Sequence, residues 1–92
     1  MISQEKRSKI DIVMDILKCV NERKGKIKPT HLMYKSNLSH VEMKHYLLDL
    51  TEKGLLDEVS EKNKRLIVIT KKGKDFLLQI SKMKEFQKTF GL

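Results

Sequence analysis

The sequence is poor in most of the residues that announce a particular chemistry. A single cysteine, Cys19, stands among 92 residues. That excludes an internal disulfide and any cysteine-based zinc site, and it fits a reducing cytosol. Tryptophan is absent, and there are one proline and four glycines. The glycines are isolated from one another, so no glycine-rich loop is available to cradle a phosphate. No apolar run approaches the ~18 residues that a membrane span requires. The first ten residues, MISQEKRSKI, are polar and lack the apolar core of a signal peptide. No Ser-His-Asp set or carboxylate pair suggests catalysis, and one small domain offers little pocket. Neither an enzyme activity, a cofactor nor a small-molecule ligand is expected. All three histidines fall within residues 31–45. His40 and His45 are five apart, which is about 140° around a helix, and no Glu or Cys completes a metal site beside them.

What the chain has in excess is cations. Twenty Lys and Arg stand against twelve Asp and Glu, a net charge of +8. In a chain of this size, such a field favours phosphate polymers or anionic surfaces. The excess is not spread evenly. Residues 1–28 carry eight positive and four negative side chains, residues 29–53 three and three, residues 54–70 three and three, and residues 71–92 six and two. The ends are basic and the middle is neutral, so a function placed in the middle rests on geometry more than on charge.

Hydrophobic spacing organises the chain into one domain. Ile10, Val13, Met14, Leu17 and Val20 form a helical stripe over residues 8–24, with Ile12, Ile16 and Cys19 beside it. Ser8 with Asp11 three residues on suggests a capping box, and Gly25 a left-handed stop. Lys26-Ile27-Lys28 is no more than a strand fragment. Pro29 suits the first turn of a short helix over 30–36. Asn37-Leu38 break it, Ser39 caps a second helix over 40–53, and Gly54 closes that one. A short helix, a tight break holding one apolar residue and a longer helix make a helix-turn-helix, with Leu38 turned into the core. Residues 55–60 and 65–70 are two β-branched runs around a polar turn and read as a hairpin, the wing. Thr70 caps a last helix over 71–90. The expected fold is mainly α with a β-hairpin, a winged helix-turn-helix over 1–70 followed by a C-terminal coiled-coil helix over 71–92.

The segments KRSKIDIVMDIL (6–17), THLMYKSNLSHVEMKHYLLDLTEKGLL (30–56) and ITKKGKDFL (69–77) carry a resemblance that covers nearly the whole chain. They resemble the small archaeal winged-helix DNA-binding proteins, which include transcriptional regulators and chromatin-type proteins. The resemblance implies double-stranded DNA as partner, a cytoplasmic, nucleoid-associated location, and a homodimer joined by an antiparallel coiled coil of the last helix. This sequence departs from the pattern in the low positive charge of its recognition helix.

Candidate contacts follow from the layout. On helix 40–53, Met43, Tyr46, Leu47 and Leu50 form the core face. Val41, Lys44, His45, Leu48 and Glu52 lie on the opposite face, which enters a major groove; Lys44, His40 and His45 offer donors there, and Val41 and Leu48 offer apolar contact to thymine methyls. Tyr34, Lys35 and Ser36 end the preceding helix, and Ser39 offers its hydroxyl and nearby N–H groups to a phosphate. Lys62, Asn63, Lys64 and Arg65 form the wing tip, and Lys6, Arg7 and Lys9 add charge ahead of the first helix. On the last helix Phe76, Ile80, Met83, Gln87 and Phe90 are spaced 4, 3, 4 and 3, the seam of a coiled coil, widened by Leu77 and Phe86. The alternative function is a winged-helix protein-interaction module that does not touch DNA.

Overall fold

The computed structural model describes residues 7–92. Lys6 lies outside them. The elements run α1 (Lys9–Glu22), β1 (Lys26–Ile27), α2 (Pro29–Ser36), α3 (His40–Glu52), β2 (Leu56–Glu61), β3 (Lys64–Ile69) and α4 (Lys71–Thr89). The fragment at residues 26–27 is a true strand. It pairs antiparallel with β3, Lys26 opposite Val68, so the hairpin becomes a three-stranded sheet ordered β1-β3-β2.

Local chemistry explains each boundary. Ser8 and Asp11 close the expected capping box at the start of α1. At the end of α2, Asn37 takes the left-handed conformation (φ 56°). The Asn37 N–H then donates to the Tyr34 carbonyl and the Leu38 N–H to the Met33 carbonyl. This paired pattern satisfies the last carbonyls and turns the following apolar residue inward. Leu38 is accordingly buried in the core. The same device ends α3. Gly54 is left-handed, its N–H donates to Thr51, and the Leu55 N–H donates to Leu50. Two turns of the same kind thus set the angles on either side of α3.

The core is continuous. Val13, Ile16, Leu17 and Val20 of α1 meet Leu32 and Met33 of α2, Met43, Leu47 and Leu50 of α3, and Ile27, Leu56, Ile67 and Ile69 of the sheet. Strand pleating divides the wing. Residues Leu56, Ile67 and Ile69 point inward at its root. Further out, the same face carries Glu58, Ser60 and Arg65, because side chains two apart share a face. The connecting turn has only two residues, Lys62 and Asn63, both with positive φ. That is the conformation that matches the twist of a two-residue hairpin.

The first half of α4 belongs to this core. Gly73 and Leu77 are buried there and Phe76 packs against it, so the packed unit continues past residue 70. The Thr70 hydroxyl donates to the Gly54 carbonyl (2.6 Å) and accepts from the Gly73 N–H (2.9 Å), tying the start of α4 to the end of α3. Gly73 sits so close to the backbone just ahead of β2 and to the end of β3 that a Cβ there would meet the Leu55 carbonyl oxygen at 2.1 Å and Ile69 Cγ1 at 2.8 Å. Gly73→Ala should therefore destabilise the fold by about 1–3 kcal/mol, the range for overpacking. Urea unfolding checks this: the midpoint should fall with the slope unchanged.

Candidate nucleic-acid interface

Because α3 follows α2 through the tight Asn37-Leu38 turn, its core face is committed to Met43, Leu47 and Leu50. The rest of the helix is left outward. His40, Val41, Lys44, His45 and Leu48 are all exposed there, as the spacing predicts. The His45 ring meets the Tyr46 ring edge-on at 5.8 Å. Between α3 and the wing runs an open groove of about 580 Å³. Pro29 and Met33 contribute from α2, Val41, Lys44 and Leu48 from α3, and Glu58 and Arg65 from the wing.

Electrostatics divides the candidate cations into tied and untied. Arg65 Nε donates to one Glu58 oxygen at 2.5 Å and its Nη2 to the other at 3.2 Å. Its charge is thereby matched by a carboxylate on the same face. Lys26 pairs with Glu61 at 2.6 Å across the sheet. Lys35, Lys44, Lys62 and Lys64 have no carboxylate partner among the described residues. Ahead of α1, Arg7 is held against the domain. Its guanidinium donates to Asp15 (2.9 Å) and to the Asn37 carbonyl (3.2 Å), bracing the helix-turn-helix break from behind. Lys9 lies 3.6 Å from Asp49, which also pairs with Lys53. The Lys53 hydrogen bond holds the Asp49 carboxyl below its ordinary range.

Two of the expected contact residues are placed differently from the others. Ser36 is 1% exposed and its hydroxyl faces the Cys19 sulfur at 4.0 Å. Its place in the turn above Leu38 sends it into the fold, away from any backbone phosphate. Ser39 is exposed, but its polar groups are engaged. Its Oγ accepts from the Glu42 N–H (3.1 Å), and its own N–H donates to the Glu42 carboxylate (2.9 Å). That hydrogen bond keeps the Glu42 carboxyl below its ordinary range. The helix start therefore already holds an anion, which opposes a phosphate at the same point. The Ser-x-x-Glu signature of this capping box was legible at residues 39–42. Tyr34 and Lys35 remain exposed at the end of α2. Pro29, Thr30 and Thr51, which line the groove, carry no motif that would have singled them out.

The seam expected on α4 is also divided. Leu77 and Ile80 are buried within the domain, and Phe76 is half-buried against the core. The 4-3 spacing begins on the face that α4 turns toward its own domain, so those three positions are taken. Met83, Phe86, Gln87 and Phe90 lie beyond and are exposed. The Phe86 and Phe90 rings are stacked at a tilt, with centroids 4.7 Å apart. Leu78 and Leu92 are exposed as well, outside the expected seam. Among the described residues, no helix is long and apolar enough to cross a membrane.

A helix-turn-helix whose second helix faces a two-stranded wing across a groove is the arrangement of one family, and its sequence model matches residues 6–88. The chain belongs to the winged helix-turn-helix family. Solved structures agree on the fold. Sso10a-2, a DNA-binding protein from Sulfolobus solfataricus, superposes with a TM-score of 0.77 at 25% identity over 91% of this chain and 85% of its own. F93 from STIV, a winged-helix DNA-binding protein, gives a TM-score of 0.74 at 17% identity over 91% and 95%. The transcriptional regulator BldR from Sulfolobus solfataricus gives 0.73 at 18% identity, over 87% of this chain and 60% of that one. No curated protein sequence matches the chain. In this chain the first half of α4 is part of the core of the winged fold.

The distal half of α4 is also fastened to α1. Lys84 Nζ donates to Asp11 Oδ1 at 2.6 Å, and the Ser8 hydroxyl donates to Asp11 Oδ2 at 2.8 Å. Lys84 first, then Ser8, lower the Asp11 pKa from 3.8 to about 2. A carboxyl with a depressed folded pKa adds stability above its unfolded pKa and loses it as pH falls through the folded one. The wild type should therefore be more stable than Lys84→Ala above about pH 4, and the difference should vanish as pH falls through about 2. Thermal unfolding of both proteins across that range checks the sign.

Proposed function

We propose that this winged-helix protein binds double-stranded DNA as a homodimer and acts as a transcriptional regulator or chromatin protein. One observation carries the DNA reading: the exposed face of α3 and the inner face of the wing line one open groove, with Lys44 inside it and Lys62 and Lys64 at the wing tip. In that arrangement α3 enters the major groove, and the wing follows the adjacent backbone. Tyr34, Lys35, Lys44, Lys62, Asn63 and Lys64 supply contacts, the untied lysines those to phosphate. Arg65 can join them only by exchanging Glu58 for a phosphate.

A fluorescence titration with mixed-sequence duplex at several salt concentrations tests this. The affinity should fall with salt, and Lys62→Ala with Lys64→Ala should lower the logarithmic slope by about 0.9 for each phosphate no longer neutralised. An unchanged slope in the folded double variant would remove the wing from the interface. A second reading, a protein-interaction module, is favoured by the apolar lining of the groove and the near-neutral α3. Absence of duplex binding at low salt would leave that reading standing.

The dimer rests on the distal half of α4. Met83, Phe86 and Phe90 fall within about 60° of one another around the helix, and all three are exposed where no other part of the described chain covers them. Such an apolar patch at a helix end suits a second copy of the same helix, with Gln87 beside it setting register. Two domains on one two-fold axis would engage one duplex together. Light scattering should show a dimer for the wild type and a monomer for Met83→Asp. The variant should also bind DNA at least ~100-fold more weakly, because the second domain no longer acts at a high effective concentration. A monomeric wild type would remove both the dimer and the bivalent mechanism.

A further inference from the structure

We infer that α3 reads DNA chiefly through thymine methyl groups, using Val41 and Leu48; this inference rests on the DNA reading above. Val41 is 79% exposed and Leu48 63%, although each is a large apolar side chain. They are seven residues apart and so lie on one helical face, with His45 between them and Lys44 at their side. No other part of the described chain covers them.

The rest of α3 offers little for the usual polar readout. Bidentate base contacts come from Arg or Lys to guanine and from Asn or Gln to adenine. The α3 sequence, HVEMKHYLLDLTE, holds no Arg, Asn or Gln and a single Lys, Lys44. Two of its three carboxylates are spent: Glu42 closes the capping box and Asp49 pairs with Lys9 and Lys53, while Glu52 is exposed at the C-terminal end of the face. What remains outward is an apolar pair flanked by one lysine and one histidine, with Glu52 a helical turn beyond Leu48. The only base-edge feature in the major groove that an apolar side chain recognises is the C5-methyl of thymine.

Charge and spacing agree with that occupant. Lys35, Lys62 and Lys64 stand on the two sides of the face, free to hold the phosphates on either side of a groove. Seven residues of helix advance about 10 Å, which is about three base-pair steps of 3.4 Å. The face thus matches two A·T pairs about three steps apart, with tolerance for what lies between.

The test compares one mixed duplex with a counterpart in which every thymine is replaced by uracil, which removes the methyl and keeps the Watson–Crick pairing. Fluorescence anisotropy is read on both with the full chain and with the Val41→Ala/Leu48→Ala double variant, its folding checked by circular dichroism. The wild type should favour the thymine duplex by about four-fold for each methyl buried, and the variant should bind the two duplexes equally. Equal wild-type affinity for both, with binding retained, overturns the methyl readout and leaves the DNA reading intact. A preference that survives in the double variant also overturns it, since the methyls would then act through duplex shape. Loss of binding to both duplexes at low salt overturns this inference together with the DNA reading, and marks the apolar pair as a protein-docking face.

Discussion

Gly73 and the Leu55 carbonyl approach more closely than any side chain would allow, and at that point three parts of the molecule are joined. Leu55 is the first residue past the turn that ends α3, Ile69 is the last residue of the wing, and Gly73 lies in the first turn of α4. The Thr70 hydroxyl secures the same junction with one donated and one accepted hydrogen bond. Both roots of the wing and the start of α4 are thereby fixed relative to α3. The groove between α3 and the wing inherits its width from this contact, and so does the direction in which α4 leaves the domain.

Charge is distributed by a second rule. The cations near the structural joints are neutralised in place: Arg7 by Asp15, Lys9 by Asp49, Lys84 by Asp11, Arg65 by Glu58. Exposed pairs of this kind contribute little stability each. They consume charge that the composition seemed to offer to a partner. Among the candidate contacts, the lysines without a carboxylate partner sit at the end of α2, on the outward side of α3 and on the wing tip. A net charge of +8 therefore overstates the field at some sites and understates its focus at others.

The helices and the wing were legible because each begins or ends on a local signal. Ser8, Asn37, Ser39, Gly54 and Thr70 all act where spacing and side-chain chemistry place them. Leu38 was readable for the same reason, as a lone apolar residue in a polar break. Ser36 was not, since its burial depends on how α2 packs against Cys19 of α1, a contact between residues far apart in the chain. The same holds for Gly73, whose need for a missing side chain appears only once Leu55 and Ile69 lie against it. On α4 the 4-3 repeat was visible, yet a repeat does not say which turns face the home domain. Leu77 and Ile80 are buried at home, and the exposed face begins only at Met83.

The two-residue turn of the wing carries a trade between firmness and charge. Lys62 holds φ at 52° and Asn63 at 65°. Asparagine tolerates that region; a residue with a long side chain does so at a cost of roughly 1 kcal/mol. A glycine would sit there without strain, yet it would leave the most projecting point of the hairpin without its ammonium group. By keeping lysine, the chain accepts a slightly weaker hairpin in return for a cation at the end of a rigid two-stranded lever.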